Sequence, residues 1–446
     1  MKTAGRIKIY ETEEKPKRVF LVSLYDTKAG RRPGSLSPVA GSREEAESLA
    51  KELAALAGTL GLEIAAQEII PARERPPKYG LGTGRVQELA ERAAELEADC
   101  FVFDWDPSPS QQRNWETLTG LPAVDRQELI IRIFADRALT REAELQVRLA
   151  ELNYALPRLS HRYIDLSRQR GGRYGTRGSG ETRLETDRRQ VEQRIYRLRQ
   201  ELEEVRRQRE IQRKQRERQD IPVCALVGYT NAGKSSLLNA LTGAEVPVED
   251  KFFVTLDAVS RRFEPLKGFP VLLVDTVGFI RKLPHTLVDA FHSTLEEAVR
   301  ADLLIHVLDA VDPDIHRHYE TTVSVLEELG AGRIPRIDVL NKIDRPEASS
   351  TESGLAALLG RYPGAIPLSA LAPVSGQGGL EELRARIGQI LAAGIIRFRF
   401  PLSRPDLASL LHRQSQVISE TWEEDHIAVE ARVGGKLSGQ LKSYVV

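Results

Sequence analysis

Hydrophobic and polar residues follow two different periods in the first part of the chain. Short apolar runs such as RVFLVSLY (residues 18–25) and CFVFDW (100–105) are typical of strands. Between them, stretches such as SREEAESLAKELAALA (42–57) place apolar residues every three to four positions, as helices do. Strands that alternate with helices of this length indicate a parallel sheet. We therefore predict an N-terminal α/β domain over residues 1–136.

From Leu145 onwards the apolar residues adopt the 4-3 spacing of a coiled-coil seam. A second seam follows after a glycine-rich stretch, so residues 137–220 are predicted to form an antiparallel helical hairpin with RQRGGRYGTRGSGETR (168–183) as its tip. Pro157 is expected to interrupt and kink the first helix. The seams contain Leu145, Leu149, Leu152, Leu156 and Leu159, then Leu184, Val191, Ile195, Leu198, Leu202 and Val205.

Strand and helix patterns alternate again over residues 221–393, which predicts a mostly parallel sheet with helices on both faces. The tail, residues 394–446, has the pattern strand, helix, strand, strand, short helix, which predicts a small α+β domain. The fold class expected for the whole chain is therefore α/β, with the hairpin inserted between two α/β domains.

Charge is balanced over the 446 residues, with 64 basic and 64 acidic side chains, so a general polyanion binder is not indicated. Residues 158–218 depart from this balance, with 19 Lys and Arg against 10 Asp and Glu. Two interpretations stay open for this excess. In the first, arginines of the tip contact RNA phosphates, and the candidates are Arg173, Arg177 and Arg183. In the second, the charges only form the solvated face of a coiled coil.

The sequence also bears on the compartment. Its two cysteines, Cys100 and Cys224, lie in apolar runs and are expected to be buried thiols in a reducing environment. No apolar run approaches the roughly 20 residues of a membrane span, and the first ten residues lack a signal-peptide core. We expect a cytoplasmic monomer. His316 and His318 are interpreted as solvated surface side chains.

The most specific local pattern is GYTNAGKSS (228–236), which follows an apolar run and precedes a helical stretch. It matches GxxxxGK[ST] in the strand–loop–helix context that binds a nucleoside triphosphate. Glycines let main-chain amides close around phosphate oxygens, Lys234 supplies positive charge to the β- and γ-phosphates, and the Ser235 hydroxyl is placed to ligate Mg²⁺. A second glycine-rich turn, YGLGTGRV (79–86), is interpreted as a plain loop, with anion binding as the alternative.

Further motifs follow in an order that indicates a guanine-specific switch. Thr255 and Asp275 are placed to hold Mg²⁺, and the Gly278 amide is placed to reach the γ-phosphate, so two loops are expected to order with GTP. The NKID sequence (341–344) ends in Asp344, whose carboxylate can accept hydrogen bonds from guanine N1–H and N2–H₂. Adenine offers no such pair of donors, so ATP should be rejected.

Each predicted role has a set of residues. The group expected to take part in hydrolysis is Lys234, Thr255 and Gly278, and the expected metal ligands are Ser235, Thr255 and Asp275. The residues expected to contact the nucleotide are Gly228, Tyr229, Thr230, Asn231, Ala232, Gly233, Lys234, Ser235, Ser236, Phe253, Val254, Thr255, Asp275, Thr276, Val277, Gly278, Asn341, Lys342, Asp344, Ser369 and Ala370.

Two positions affect the expected rate and cofactors. Phe279 stands where many signalling GTPases have a glutamine that orients water, so unstimulated hydrolysis should be slow and a partner should assist it. Asn231 either helps to bind a monovalent cation such as K⁺ between the phosphates or only caps the turn.

Several of these stretches together resemble a known family. DTVGFIRKLPHTLVDAFHSTLEEA (275–298) and GGRYGTRGSGETRLETDRR (171–189) closely resemble signatures of the HflX family of ribosome-associated GTPases, in its Asn-bearing P-loop class. SPSQQRNWE (108–116), DRQELIIRIFADRA (125–138) and LQVRLAELNYALPRL (145–159) are similar to that family too. The resemblance implies a GTPase that binds the large ribosomal subunit and its rRNA, with ribosome-stimulated hydrolysis and, in some members, splitting of stalled ribosomes.

A second hypothesis of a different class remains beside this one. In it, the chain is a GTP-gated protein-interaction switch whose coiled-coil arm binds a protein, while the arginines only keep the arm soluble. Binding to purified ribosomal subunits across a salt series separates the two hypotheses, because phosphate contacts weaken steeply with salt.

Overall fold

A computed structural model describes residues 17–27, 39–73, 75–159, 179–217, 221–246, 252–253, 259–266, 268–282, 296–346, 354–372, 379–392, 395–433 and 435–446. The chain divides into two compact units, Met1–Leu202 with Lys282–Ala290 and Glu203–Arg281 with Phe291–Val446. Within the described ranges, no helix is long and apolar enough to cross a membrane. The division into four domains expected from the sequence stays a prediction.

The first unit contains a four-stranded, wholly parallel sheet, as the alternating pattern predicts. Its strands are β1 (Arg18–Asp26), β2 (Glu63–Ala72), β3 (Cys100–Phe103) and β4 (Ala123–Asp125), in the order β2-β1-β3-β4. The connecting helices are α1 (Arg43–Thr59), α2 (Thr83–Glu95), α3 (Pro109–Thr119) and α4 (Arg126–Arg137). β3 is buried at all four positions, because a parallel strand inside an α/β layer is covered on both faces.

Local signals set where these helices begin. The Ser42 hydroxyl accepts a hydrogen bond from the Glu45 amide at the start of α1, and Ser108 forms a capping box with Gln111 before Pro109 at the start of α3. The periodicity did not predict α3, β4 or α4. β4 has only three residues, and the four residues between β3 and the Ser108 cap of α3 include no glycine that would mark a turn.

A buried ionic cluster lies where the strands of this sheet end. Arg126 is 3% exposed and pairs with Glu52 and, at 3.0 Å, with Asp104. Asp104 also accepts from Lys282, whose Nζ is 3.3 Å from Oδ2. Burial lowers the pKa of Lys282, against the attraction of Asp104. Removing one partner of such a cluster leaves a charge uncompensated in the interior, so the cluster fixes this end of the unit.

The two helices of the predicted hairpin are α5 (Arg141–Leu159) and α6 (Ser179–Glu217). On α6, Val191, Ile195, Leu198 and Leu202 are each less than 9% exposed, as the predicted seam requires. The start of α5 contacts α6 through an ion pair, in which Arg141 Nη2 is 2.6 Å from Glu201 Oε2.

Pro157 does not interrupt α5, contrary to the expectation from the sequence. The proline lies in the last turn of a helix that continues to Leu159. Because proline lacks an amide hydrogen, only one hydrogen bond near the helix end is lost. The predicted tip, residues 168–183, falls largely outside the described residues, and with it Arg173 and Arg177. Arg183 lies on α6, but its side chain is outside the described part as well.

The second unit contains a six-stranded sheet that is parallel except at β6. Its strands are β5 (Val223–Gly228), β6 (Val259–Leu266), β7 (Phe269–Asp275), β8 (Leu303–Asp309), β9 (Arg336–Asn341) and β10 (Ile366–Pro367), in the order β10-β9-β8-β5-β7-β6. Its helices are α7 (Lys234–Thr242), α8 (Ile315–Glu328), α9 (Leu355–Arg361) and α10 (Gly379–Ala392). The parallel strands bring their carboxyl ends, and the loops that follow them, to one edge of the sheet.

The same unit also contains the small α+β module predicted for the tail. It is an antiparallel sheet of β11 (Ile395–Pro401), β12 (Gln416–Trp422) and β13 (His426–Arg432), in the order β11-β13-β12. Its helices are α11 (Pro405–Gln414) and α12 (Gly435–Gln440). Phe398 and Phe400 of β11 and Leu411 of α11 are fully buried in its core.

Candidate nucleotide site

The loop after β5, residues 228–236, is called the P-loop below, and its backbone comes closer to its neighbours than a side chain would permit. Gly228 has a φ of 144°, and a Cβ there would lie 2.3 Å from the carbonyl oxygen of Val307. Gly233 has a φ of 95°, and a Cβ there would lie 2.2 Å from Asn341 Nδ2. Glycine is therefore required at both ends of the loop.

Asn341, at the end of β9, joins the P-loop to the loop after β10. Its side chain is almost fully buried, at 2% exposed. Its Nδ2 donates to the carbonyl of Ala232 at 2.9 Å, and its Oδ1 accepts from the amide of Ala370 at 3.0 Å. The Ser369 hydroxyl accepts from the amides of Leu371 and Ala372, which fixes the turn that carries Ala370. One buried side chain thus connects the P-loop to the turn that carries Ala370.

Lys342 holds a left-handed backbone conformation, with a φ of 67°, beside the P-loop. Its Nζ donates to the carbonyl of Asn231 at 2.7 Å and pairs with Asp309 Oδ2 at 2.6 Å. The Lys342 side chain therefore lies against the P-loop main chain. Asp309 was not among the predicted site residues. Its only sequence signal is its position at the carboxyl end of the buried strand β8.

Two side chains with oxygen atoms, Ser235 and Asp275, meet at the end of β7. The Ser235 hydroxyl donates to Asp275 Oδ2 at 2.6 Å, and Asp275 is fully buried. A hydroxyl and a carboxylate are hard oxygen donors of the kind Mg²⁺ prefers, and Mg²⁺ commonly takes only one or two protein ligands beside phosphates and water. The residues present therefore fit Mg²⁺. No group of three or more His, Cys, Asp or Glu side chains within the described part could hold a metal, so phosphate oxygens would have to complete the shell.

Lys234 lies at the first position of α7 and turns back over the P-loop. Its Nζ donates to the carbonyls of Tyr229 at 2.8 Å and Gly228 at 3.2 Å. Burial lowers the pKa of Lys234 to about 8, Asp275 opposes this effect, and Lys342 adds to it. A buried ammonium group that is bound to carbonyl oxygens attracts a phosphate group strongly.

Residues 276–281, called the switch segment below, are paired with the P-loop main chain. The Thr230 amide donates to the Phe279 carbonyl at 2.8 Å, and the Phe279 amide donates to the Gly228 carbonyl at 3.1 Å. A Cβ on Gly278 would lie 2.8 Å from Thr230 Cα and 2.9 Å from Lys234 Nζ. The Thr276 hydroxyl donates to the carbonyl of Leu226. The segment therefore lies directly against the lysine that is expected to hold the β- and γ-phosphates.

The ring of Phe279 is buried at 2% exposed and so does not point into solvent at the phosphate loop. A phenyl ring has no group that could orient or deprotonate water, whatever its position. The Phe279 side chain therefore cannot assist the attacking water.

Tyr229 gives the site a contact that the sequence did not predict. Its ring stacks on the ring of His318 in α8, with centroids 3.6 Å apart and planes 10° apart. The interpretation of His318 as a solvated side chain was wrong, because this side chain is only 12% exposed. The first turn of α8 brings His318 against Tyr229 of the P-loop and so removes its ring from solvent. His316 is half-buried and forms a hydrogen bond with the Tyr362 hydroxyl at 2.6 Å.

The remaining predicted residues differ in how far they are exposed to solvent, and two of them lie outside the described residues. Phe253 is 3% exposed, whereas Val254 and Thr255 lie outside the described residues. Asp344 is exposed, in the loop after β9. Asn231 has a φ of 62°, a conformation that asparagine tolerates better than most residues. Further predicted residues that are buried are Thr230, Ala232, Ser236, Val277 and Ser369.

Three protein-family models match the chain in succession. Residues 47–135 match "GTP-binding GTPase N-terminal", and residues 137–216 match "GTP-binding GTPase Middle Region". Residues 223–342, which include the P-loop, the switch segment and Asn341, match "50S ribosome-binding GTPase".

Curated relatives are similar over most of the length. GTPase HflX of Akkermansia muciniphila is 42% identical, with 98% of this chain and 99% of the relative covered. GTPase HflX of Caldanaerobacter subterraneus subsp. tengcongensis is 40% identical over 92% and 93%, and GTPase HflX of Escherichia coli is 40% identical over 86% and 88%. The phosphate loop, the guanine motif and the matched length agree: the chain belongs to the GTPase HflX family and is a P-loop GTP hydrolase.

Proposed function

We propose that this GTPase binds the large ribosomal subunit in its GTP form, splits or recycles stalled ribosomes, and is released when the ribosome stimulates hydrolysis to GDP and phosphate. The observation that carries the proposal is the main-chain pairing between the switch segment and the P-loop, through Phe279 with Thr230 and Gly228. A third phosphate at Lys234 would change this pairing, so the surface that a partner recognises would depend on the nucleotide.

The need for a partner follows from Phe279. Because this residue offers no polar group, the attacking water has to be positioned by something outside its side chain. The ribosome as that partner is supported by the description "50S ribosome-binding GTPase" for the family model that matches residues 223–342, and by the excess of basic residues over 158–218. Tip arginines Arg173, Arg177 and Arg183 are the proposed rRNA contacts.

Within the nucleotide site, the predicted residues keep their proposed roles. Ser235, Thr255 and Asp275 hold Mg²⁺, the Gly278 amide contacts the γ-phosphate, and Asp344 reads guanine. When bound, Mg²⁺ neutralises charge between the β- and γ-phosphates. Asn231 is proposed to help bind K⁺ between the phosphates, with capping of the turn as the alternative. The protein is proposed to act as a cytoplasmic monomer.

The tip is tested by replacing Arg173 and Arg177 with glutamine and measuring sedimentation with purified large subunits in a non-hydrolysable GTP analogue. In a plot of log affinity against log salt concentration, the wild type should show a steep negative slope. Each lost phosphate contact should reduce that slope by about 1. The ribosome-stimulated turnover should fall while GDP affinity stays unchanged, because the P-loop is untouched.

A matched control is available on α6. Replacing Arg188 and Arg189 with glutamine removes the same charge from two exposed side chains that already pair with Glu192 and Glu185. This variant should keep the stimulated rate. Equal rates in the tip variant and the wild type would count against RNA contact. A shallow salt slope for the wild type would favour the alternative, a GTP-gated switch in which the arm binds a protein.

A further inference from the structure

We propose that the Tyr229 hydroxyl, held in place by His318 and Asp312, latches the switch segment closed on the P-loop and so lowers the affinity for GTP relative to GDP. These three side chains are positioning residues, because none of them is expected to touch the reacting atoms. The inference rests on nucleotide binding alone and does not require that the protein binds ribosomes.

The latch is a hydrogen bond from the switch segment to a P-loop side chain. The amide of Arg281 donates to the Tyr229 hydroxyl at 2.8 Å. The Tyr229 side chain is 5% exposed, so this bond is sheltered from water. It is the third bond between the two segments, after those from the Thr230 and Phe279 amides. Unlike the other two, it depends on a side chain and can therefore be removed by substitution.

His318 and Asp312 hold the tyrosine ring in place. The imidazole of His318 lies flat on the Tyr229 ring, and its Nδ1 is 3.1 Å from Asp312 Oδ2. Burial tends to raise the pKa of Asp312. The hydrogen bond from His318, the Asp314 amide and the charge of Arg281 outweigh it, so the pKa is lower than usual. The carboxylate is therefore ionised at neutral pH and accepts the Nδ1 proton, which fixes the orientation of the imidazole.

The closed segment lies where a third phosphate has to come. A γ-phosphate must approach Lys234 Nζ, and an atom attached to Gly278 Cα would lie only 2.9 Å from that nitrogen. The β-phosphate of either nucleotide also lies at Lys234, but only the γ-phosphate is expected to meet the Gly278 amide, so GTP has to displace Gly278 outwards. A bond that holds the segment closed therefore opposes GTP more than GDP. One sheltered neutral hydrogen bond corresponds to about a three- to tenfold change in an equilibrium constant.

The test measures dissociation constants for GDP and for a non-hydrolysable GTP analogue with the isolated full-length protein. Tyr229→Phe removes one oxygen atom and keeps the ring, so the fold is expected to be unchanged. It should raise the ratio of analogue affinity to GDP affinity by about three- to tenfold. His318→Ala, which removes the stacked ring, should change the ratio in the same direction. His318→Phe keeps a flat ring and should fall between His318→Ala and the wild type.

The ratio of the two affinities separates a latch from a merely structural contact. A structural role would weaken both nucleotides together. Tyr229→Phe with an unchanged or lower ratio of analogue affinity to GDP affinity would overturn the proposal. Failure of ribosome binding would leave this result untouched, because no ribosome is present in the measurement.

Discussion

Asp344→Asn is expected to lower GTP affinity by about a hundredfold to a thousandfold and to create affinity for xanthosine triphosphate. The carboxylate of Asp344 is proposed to accept hydrogen bonds from guanine N1–H and N2–H₂. An asparagine presents a donor to N2–H₂, so two donors face each other and the base loses both charge-assisted bonds. Xanthine carries an oxygen at position 2, which the asparagine amide can donate to. Competition against a fluorescent guanine nucleotide measures both affinities.

The fold should not change in this variant. Asp344 is exposed in the loop after β9, and asparagine has the same shape as aspartate, so thermal unfolding should match the wild type. ATP serves as the control nucleotide and should bind neither protein, because adenine lacks the donor pair. If the variant still preferred GTP over xanthosine triphosphate, Asp344 would not be the residue that reads the base.

Lys234→Ala is expected to weaken GTP and GDP binding by about a hundredfold or more, because the site loses its buried positive charge. The same variant should unfold at an equal or higher temperature than the wild type. Burial lowers the pKa of Lys234 to about 8, below its usual value, so at neutral pH the folded state binds this proton less tightly than the unfolded state does. The lysine therefore destabilises the folded protein, and this cost is present at neutral pH and disappears as pH rises above its unfolded pKa.

The same pKa predicts how binding depends on pH. A bound triphosphate places negative charge beside Lys234 and keeps it protonated, so above about pH 8 the protein must take up a proton when the nucleotide binds. Between pH 7.5 and 9 the wild-type affinity should therefore fall, with a limiting slope of about tenfold per pH unit. Lys234→Ala, measured at higher nucleotide concentrations, should lack this component. Equal pH profiles for both proteins would mean that Lys234 does not titrate on binding.

The parts of the site that the sequence predicted are those governed by local rules. Gly228 and Gly233 are required because a Cβ would collide with Val307 or Asn341, and a glycine-rich loop between strand and helix signals such a collision in advance. Asn341 was predicted because its neighbours form a motif of fixed order. The apolar seam on α6 followed from periodicity alone, and Val191, Ile195, Leu198 and Leu202 are buried as expected, whereas Val205 is half-buried.

The parts that the sequence missed depend on contacts between distant segments. Asp309 ends an apolar strand as many aspartates do, and only the parallel register of β8 with β9 places it against Lys342. The stack of Tyr229 on His318 requires the first turn of α8 to face the P-loop, which no local pattern encodes. His318 lies between Arg317 and Tyr319, and no local pattern showed that its ring would be covered, so it was assigned to the surface. Pro157 was misjudged because its effect depends on how close it lies to the helix end.

One measurement tests most directly whether the γ-phosphate controls ribosome binding. Purified large ribosomal subunits are mixed with the protein in a non-hydrolysable GTP analogue, in GDP and without nucleotide, and the bound fraction is measured by sedimentation, with GTP turnover measured in parallel. Strong binding is expected only with the analogue, together with turnover that the subunits accelerate. Equal binding in all three conditions, with turnover unchanged by the subunits, would contradict it.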